Sequence, residues 1–169
     1  LGIPHPPGNP LYVLLGRTFS VLLPFFDQVA FRLNLISVFS ASFTVLLLYL
    51  IVIRAVVGWL GIPDTRWKQA TVYVGGITGA LWAGFGSTFW FSAVEAEVNV
   101  VSMLFVALST WLGLKWAQSK DENRDRILLL IGYIVFLGIG VHMFSMVAIA
   151  PVGLFVLLVD REKLTDWRF

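Results

Sequence analysis

The sequence predicts an all-α fold: a polytopic transmembrane helix bundle of about five spans, preceded by an N-terminal helix that lies in or crosses the membrane interface. Three observations carry that expectation. Apolar residues make up 58% of the 169-residue chain and charged residues 13%, about half the charged share of an ordinary soluble domain. The charges fall in short clusters between long uncharged runs, the pattern of a chain threading a bilayer. Those runs approach or exceed the roughly 20 residues that a helix needs to cross a hydrocarbon core.

The elements follow in order. Segment 1–34 is read as an extracytoplasmic unit and 35–169 as the bundle, with a shared first helix. Pro10–Phe26 is apolar but short, holds Arg17 and ends at Pro24 and Asp27, which favours an amphipathic helix in the outer interface. The first span is 33–60, long enough to cross with tilt. The turn formers and charges of Gly61–Lys68 end it. The second span, 70–91, carries Gly75, Gly76, Gly79, Gly84 and Gly86; small residues let membrane helices approach closely, which places it inside a bundle. The third is 98–116. Ile127–Val159 is uncharged and too long for one crossing at roughly 1.5 Å per residue. Gly138, Gly140, His142 and Ser145 interrupt it, so it divides into 127–143 and 144–159.

With that division, ten of the twelve Lys and Arg fall on one side of the membrane, the cytoplasmic side by the positive-inside rule. Arg17 and Arg32 remain outside, with the Glu95–Asn99 turn and His142. Trp59, Trp67, Trp90 and Trp116 read as interfacial belt residues. A net charge of +2 with its cations in loops gives no argument for nucleic acid. The chain has no cysteine, which removes disulfides and thiolate metal sites. No Walker loop, zincin motif, nucleophile elbow or dinucleotide fingerprint is present. Its ends at Leu1 and Phe169 lead to the expectation of a fragment of a longer protein.

The candidate chemistry lies on the outer face. Glu95 and Glu97 stand between two apolar helices, where carboxylates are costly and mark a site or a partner; the bland alternative is a solvated acidic turn. At i and i+2 they could share a cation, Mg or Mn, from an irregular turn, or diverge on a regular helix. His5 sits in the stiff His5-Pro6-Pro7-Gly8-Asn9-Pro10 segment, suited to acid–base work or phosphate contact, or simply a rigid linker. His142 is either functional or a neutral ring satisfied by a backbone group. Arg32, beside Asn34, could fork onto a phosphate or snorkel.

Leu1-Gly2-Ile3-Pro4-His5-Pro6-Pro7-Gly8-Asn9-Pro10-Leu11-Tyr12 resembles the LGxxHPPGxPLY signature of the DUF2723 membrane-protein family. Ala30–Leu35, Phe89–Val98 and Gly140-Val141-His142 resemble its later blocks, in the same order. That family includes the TMEM-type protein O-mannosyltransferases and is similar to the GT-C membrane glycosyltransferases. The resemblance implies a GT-C-like N-terminal part, a polyprenyl-phosphate-linked sugar donor, mannose-like, and an extracytoplasmic protein or glycan acceptor. It also implies an acidic block upstream of the HPPG segment, with the catalytic aspartate in it, and Asn9 stands where the family more often has Tyr. Some GT-C oligosaccharyltransferases use an acidic-x-acidic pair for a divalent metal, in a place comparable to Glu95-Ala96-Glu97.

The expectation is therefore part of a glycosyltransferase in a bacterial inner membrane, its active face extracytoplasmic. Glu95, Glu97 and His5 are the catalytic candidates, Glu95 and Glu97 the metal candidates, and Arg32, Asn34 and His142 the substrate-binding candidates. The rivals are a transporter or channel segment with an acidic outer site and a membrane scaffold without chemistry.

Overall fold

A computed structural model of the chain describes residues 9–119 and 124–160. The described residues are helical and contain no strand. In order they form α1 (Pro10–Leu22), α2 (Val29–Leu60), α3 (Arg66–Gly84), α4 (Ser87–Val94), α5 (Val98–Gln118), α6 (Asp125–Ile139), a 3₁₀ segment (Met143–Ala148) and α7 (Ile149–Val159). Among them α2 and α5 are long and apolar enough to cross a membrane. His5, Lys120, Arg161, Lys163 and Arg168 lie outside the described residues.

The centre is the α2–α5 pair. On α2, Ser37, Ser40, Ala41 and Thr44 are all buried, and their i, i+3, i+4, i+7 spacing makes one narrow stripe of small residues. Hydroxyls in such a stripe would be costly without partners. Thr44 donates to Ser40 O at 2.7 Å, and on α5 Ser102 and Ser109 donate to Val98 O and Phe105 O. The two helices run in the same direction. Ser37 meets Glu97 at one end and Arg54 meets Gln118 at the other. From Ser37 to Arg54, at 1.5 Å per residue, is roughly 25 Å, close to the ~30 Å hydrocarbon thickness.

Gly61 ends α2 with φ of 85°, a conformation that costs glycine little and other residues much. Thr65 then caps α3, accepting the Lys68 N–H at 3.3 Å. α3 returns along α2 through two glycines. A Cβ on Gly76 would come within 3.1 Å of Ile53, and one on Gly84 within 2.8 Å of Val45. Gly75 and Gly79 face open space, so α3 covers one face only and sits at the edge of the described helices, not enclosed as the sequence led us to expect. The anticipated 70–91 helix is also broken. The Phe85 and Gly86 amides turn back to Leu81 O and Ala83 O, and α4 starts afresh at Ser87, with Phe85 stacked on Trp90 at 5.4 Å. Two glycines flanking one residue make continuation of the helix expensive there.

Ile127–Val159 folds back on itself. The amides of Val141 and His142 both reach Gly138 O, and Ser145 N reaches His142 O. The reversal seats Asp160 against the Arg124 guanidinium, so the residues on either side of α6 and α7 form an ion pair. This hairpin packs on α5 through Leu112, Ile131, Ile134, Val135 and Ala148.

α1 has 13 residues, about 20 Å, too short for a ~30 Å core. It lies across the end of the bundle: Leu11 N donates to Gly140 O at 2.8 Å, Gly16 packs on Leu33, and Phe19 on Phe39. Since α2 begins at Val29, residue 34 falls within a continuous helix. Trp59, Trp67 and Trp82 are more than 80% exposed, an outer surface suited to lipid or further protein and not to water. Trp116 departs from the belt expectation: it is fully buried, with the Arg124 guanidinium over its ring.

The glycines give a paired prediction. At Gly138 a Cβ would meet the Ser145 Cβ at 2.8 Å and that of Phe105 at 3.1 Å, atoms close to the backbone that cannot swing away. Gly138→Ala should lower stability by about 1–3 kcal/mol, whereas Gly75→Ala, with open space around it, should leave stability unchanged or slightly raised. Thermal unfolding in detergent would read both.

Candidate functional site

The described residues of the four sequence blocks singled out above come together at one end of the α2–α5 pair. One apolar cluster joins them: Ile36 and Ala41 from α2, Val100 and Val101 from α5, and Val141 from the hairpin turn are buried, with Leu11 and Tyr12 of α1 and Phe89 and Ala93 of α4 packed around them. Segments more than a hundred residues apart in sequence are thus fixed against each other by burial of apolar surface.

Polar groups ring this cluster. Ser37 is fully buried, and its Oγ accepts the Glu97 backbone N–H at 3.0 Å. Glu97 Oε1 accepts from Asn99, at 2.6 Å from the side-chain amide and 3.4 Å from the backbone N–H. Glu97 therefore caps α5, where a carboxylate is favoured by the helix dipole. Asn34 donates from Nδ2 to Val94 O at 3.3 Å, fixing the last turn of α4 and so the origin of Glu95. Glu95 is exposed. Its backbone is extended, as is that of Glu97, so the pair lies on an irregular link between two helices.

The Tyr12 hydroxyl is buried and lacks a hydrogen-bond partner. It lies near Ser37 Oγ without a formed bond. Burial pushes the Tyr12 phenol above its ordinary value, and the nearby Glu97 charge pushes in the same direction, against a smaller lowering influence from Ser37. Tyr12 and Ser37 are the members of this site that sequence reasoning passed over. Tyr12 was visible as the last residue of the PLY block, and Ser37 as the residue one helical turn after Asn34.

The remaining candidates have local structural duties. Arg32 donates to Phe26 O at 2.6 Å, Ser20 O at 2.7 Å and Pro24 O at 3.3 Å, tying the end of α1 to the start of α2. A guanidinium has five donors, so some remain for another ligand. His142 Nδ1 accepts the Phe144 N–H at 3.1 Å, which places the proton of a neutral ring on Nε2 and starts the 3₁₀ segment. The structure thus brings Asn34, Glu95, Glu97 and the His142 turn around one cluster, with Arg32 at the rim, while His5 lies outside the described residues. No group of three or more His, Asp or Glu occurs among the described residues. For a metal, Glu95 and Glu97 would supply a sparse donor set, one oxygen of which already serves Asn99.

An apolar groove of about 420 Å³ runs between α2 and α3–α4, lined by Val38, Val45, Leu81, Phe89 and Trp90 and ending at Ala93 and Val94, next to Glu95.

The Tyr12–Glu97 proximity makes a titration prediction. Glu97→Gln removes the negative charge that opposes tyrosinate formation, so the Tyr12 midpoint should fall while staying above that of a free tyrosine, because burial persists. The tyrosinate absorbance difference between this variant and its parent, each against its Tyr12→Phe counterpart, would show the shift.

A family model described as the protein O-mannosyl-transferase TMEM260 N-terminal domain matches residues 1–165. The chain is similar to the protein O-mannosyl-transferase TMEM260 of Mus musculus, at 30% identity over 133 residues, 78% of this chain and 17% of that protein. It is also similar to the Dictyostelium discoideum protein O-mannosyl-transferase tmem260, at 26% over 126 residues, 74% of this chain and 14% of that protein. The chain thus spans 17% or less of the length of these curated relatives. No solved structure matches. With nearly its whole length matched, this chain belongs to the family of protein O-mannosyl-transferase TMEM260 N-terminal domains.

Proposed function

We propose that this chain is the membrane-embedded N-terminal part of a GT-C-like, DUF2723-type protein O-mannosyltransferase, with the Glu95–Glu97 end forming part of the extracytoplasmic donor and acceptor site. The observation that carries the reading is the convergence of the PLY, FRLNL, VEAEV and GVH blocks on one apolar cluster, in a chain of this family. In this reading the chain is multi-pass, with α2, α3–α4, α5, α6 and the 3₁₀–α7 arm crossing the bilayer and α1 lying in its outer interface.

The reaction is displacement at the anomeric carbon of a mannose-like sugar. An acceptor hydroxyl on a protein or glycan forms the new glycosidic bond, its proton passes to a carboxylate base, and the polyprenyl phosphate leaves with the bonding electrons. Such chemistry needs a carboxylate near the acceptor and positive charge near the departing phosphate. Glu95, exposed at the end of α4, is the carboxylate here with freedom to meet an acceptor or share a cation. Glu97 holds the start of α5 in place and faces Tyr12. Arg32, with His5 from the preceding segment, supplies the positive charge, and Asn34 and His142 hold the surrounding loops. The groove that ends beside Glu95 has the apolar lining that a lipid-linked donor requires.

In the full-length enzyme, Glu95→Gln should lower transfer from a polyprenyl-phosphate donor by on the order of 10²–10³ if its charge acts in a water-poor site, with folding intact. Glu97→Gln should cost both activity and thermal stability, because it weakens the α5 cap. Full activity of both variants would remove the pair from the site. Topology is tested independently: a cysteine at Ala96 should react with an impermeant thiol reagent from the extracytoplasmic side and one at Asp64 should not, and the opposite pattern would sink the orientation.

A further inference from the structure

The opposite end of the α2–α5 pair carries a group of cations that the transferase reading does not use. Arg54 and Lys115 both sit at the ring of Trp111, at 5.6 and 5.4 Å from its centroid. Arg54 is held there by Gln118. Its Nη1 donates to Gln118 Oε1 at 3.0 Å while Gln118 Nε2 donates back to Arg54 O at 3.1 Å. Gly58 leaves room for this, since a Cβ at that position would come within 2.8 Å of the Gln118 amide. The Trp111 indole N–H is buried and has no hydrogen-bond partner.

Among the described residues, the charges at this end are unevenly paired. Arg124, next along, is neutralised by Asp125 and Asp160. Arg54 and Lys115 form no ion pair among the described residues. Two like charges at one indole repel each other, and a bound anion would offset that repulsion. A partly buried guanidinium and an exposed ammonium at one aromatic ring are together what a phosphate group would satisfy: the fork takes two oxygens and the ammonium adds a point charge. The separation from the Glu97 end, roughly 25–30 Å by helix rise, is one hydrocarbon thickness. That puts the group at headgroup depth, where an aromatic ring and cations meet anionic lipid.

We propose that Arg54, Lys115 and Trp111 form a phosphate-binding site for the headgroup of an anionic phospholipid, in the leaflet opposite Glu95 and Glu97. The inference rests on the membrane-spanning part of the proposed function and not on sugar transfer, so its test needs no transferase activity.

The test uses the full-length protein purified in a zwitterionic detergent. Thermal stabilisation is titrated with short-chain phosphatidylglycerol, phosphatidylcholine of the same chain length, and inorganic phosphate, and native mass spectrometry counts retained lipid. Phosphatidylglycerol should stabilise the parent at concentrations where phosphatidylcholine does not. Lys115→Gln should weaken that response about fivefold, and Lys115→Gln with Arg54→Gln by on the order of 25-fold, taking about a fivefold effect per cation. Lys115 is exposed, so its single variant tests the site even if loss of the Arg54–Gln118 bonds unfolds the double one. Lys68→Gln, which removes a cation from the exposed pair with Asp64, should behave as the parent. Equal stabilisation by inorganic phosphate would overturn lipid as the source of the phosphate. A folded Lys115→Gln protein with an unchanged phosphatidylglycerol response would overturn the site.

Discussion

Ser37 Oγ accepting the Glu97 backbone N–H is the contact on which the candidate site depends. Glu97 stands in the non-helical link between α4 and α5, where its amide has no partner in either helix, and an unpaired amide buried there would cost about 1–3 kcal/mol. Ser37 answers it from α2, at one end of the small-residue stripe. This contact, with the Arg54–Gln118 bonds at the other end, sets how far α5 is inserted relative to α2. It thereby holds the Glu95–Glu97 link beside the apolar cluster on which Tyr12 and the Val141 turn also pack.

Much of this organisation was legible in the sequence, and for simple reasons. Uncharged runs near 20 residues and charged loops between them mark helices through a bilayer, and α2 and α5 match 33–60 and 98–116 to within four residues. The reversal near His142 followed from the length of the uncharged run and from Gly138, Gly140, His142 and Ser145 within it. What pattern could not supply was direction around each helix. Gly75 and Gly76 are adjacent in the chain, yet one faces open space and the other presses on Tyr49 and Ile53; counting glycines does not separate them. The break at Phe85–Gly86 was equally hidden, because hydropathy continues across it.

The candidate site was legible as a set of blocks but not as a set of duties. Arg32, Asn34 and His142 stood out as polar residues in apolar surroundings, and each is found making hydrogen bonds to nearby backbone groups. Near a membrane surface, interrupted helices leave amides and carbonyls that must be answered, and polar residues placed at chain breaks answer them. The same residues can hold a site together and border it. Tyr12 was passed over because a tyrosine after a proline-rich stretch reads as packing; its significance rests on the nearby Glu97 carboxylate, contributed from far along the chain.

Parallel packing of α2 and α5 has an electrostatic side. Antiparallel neighbours cancel their peptide dipoles, whereas two helices running together add theirs, each contributing about half a positive charge at its N-terminus and half a negative charge at its C-terminus. In this pair both positive poles point toward the end where Glu97 caps α5, and both negative poles toward the end where Arg54 and Lys115 collect. Glu97 at the start of α5 and Lys115 in its last turn are each placed to lower the field energy of that helix. Exchanging the charges of Glu97 and Lys115 would set both against the poles they now offset.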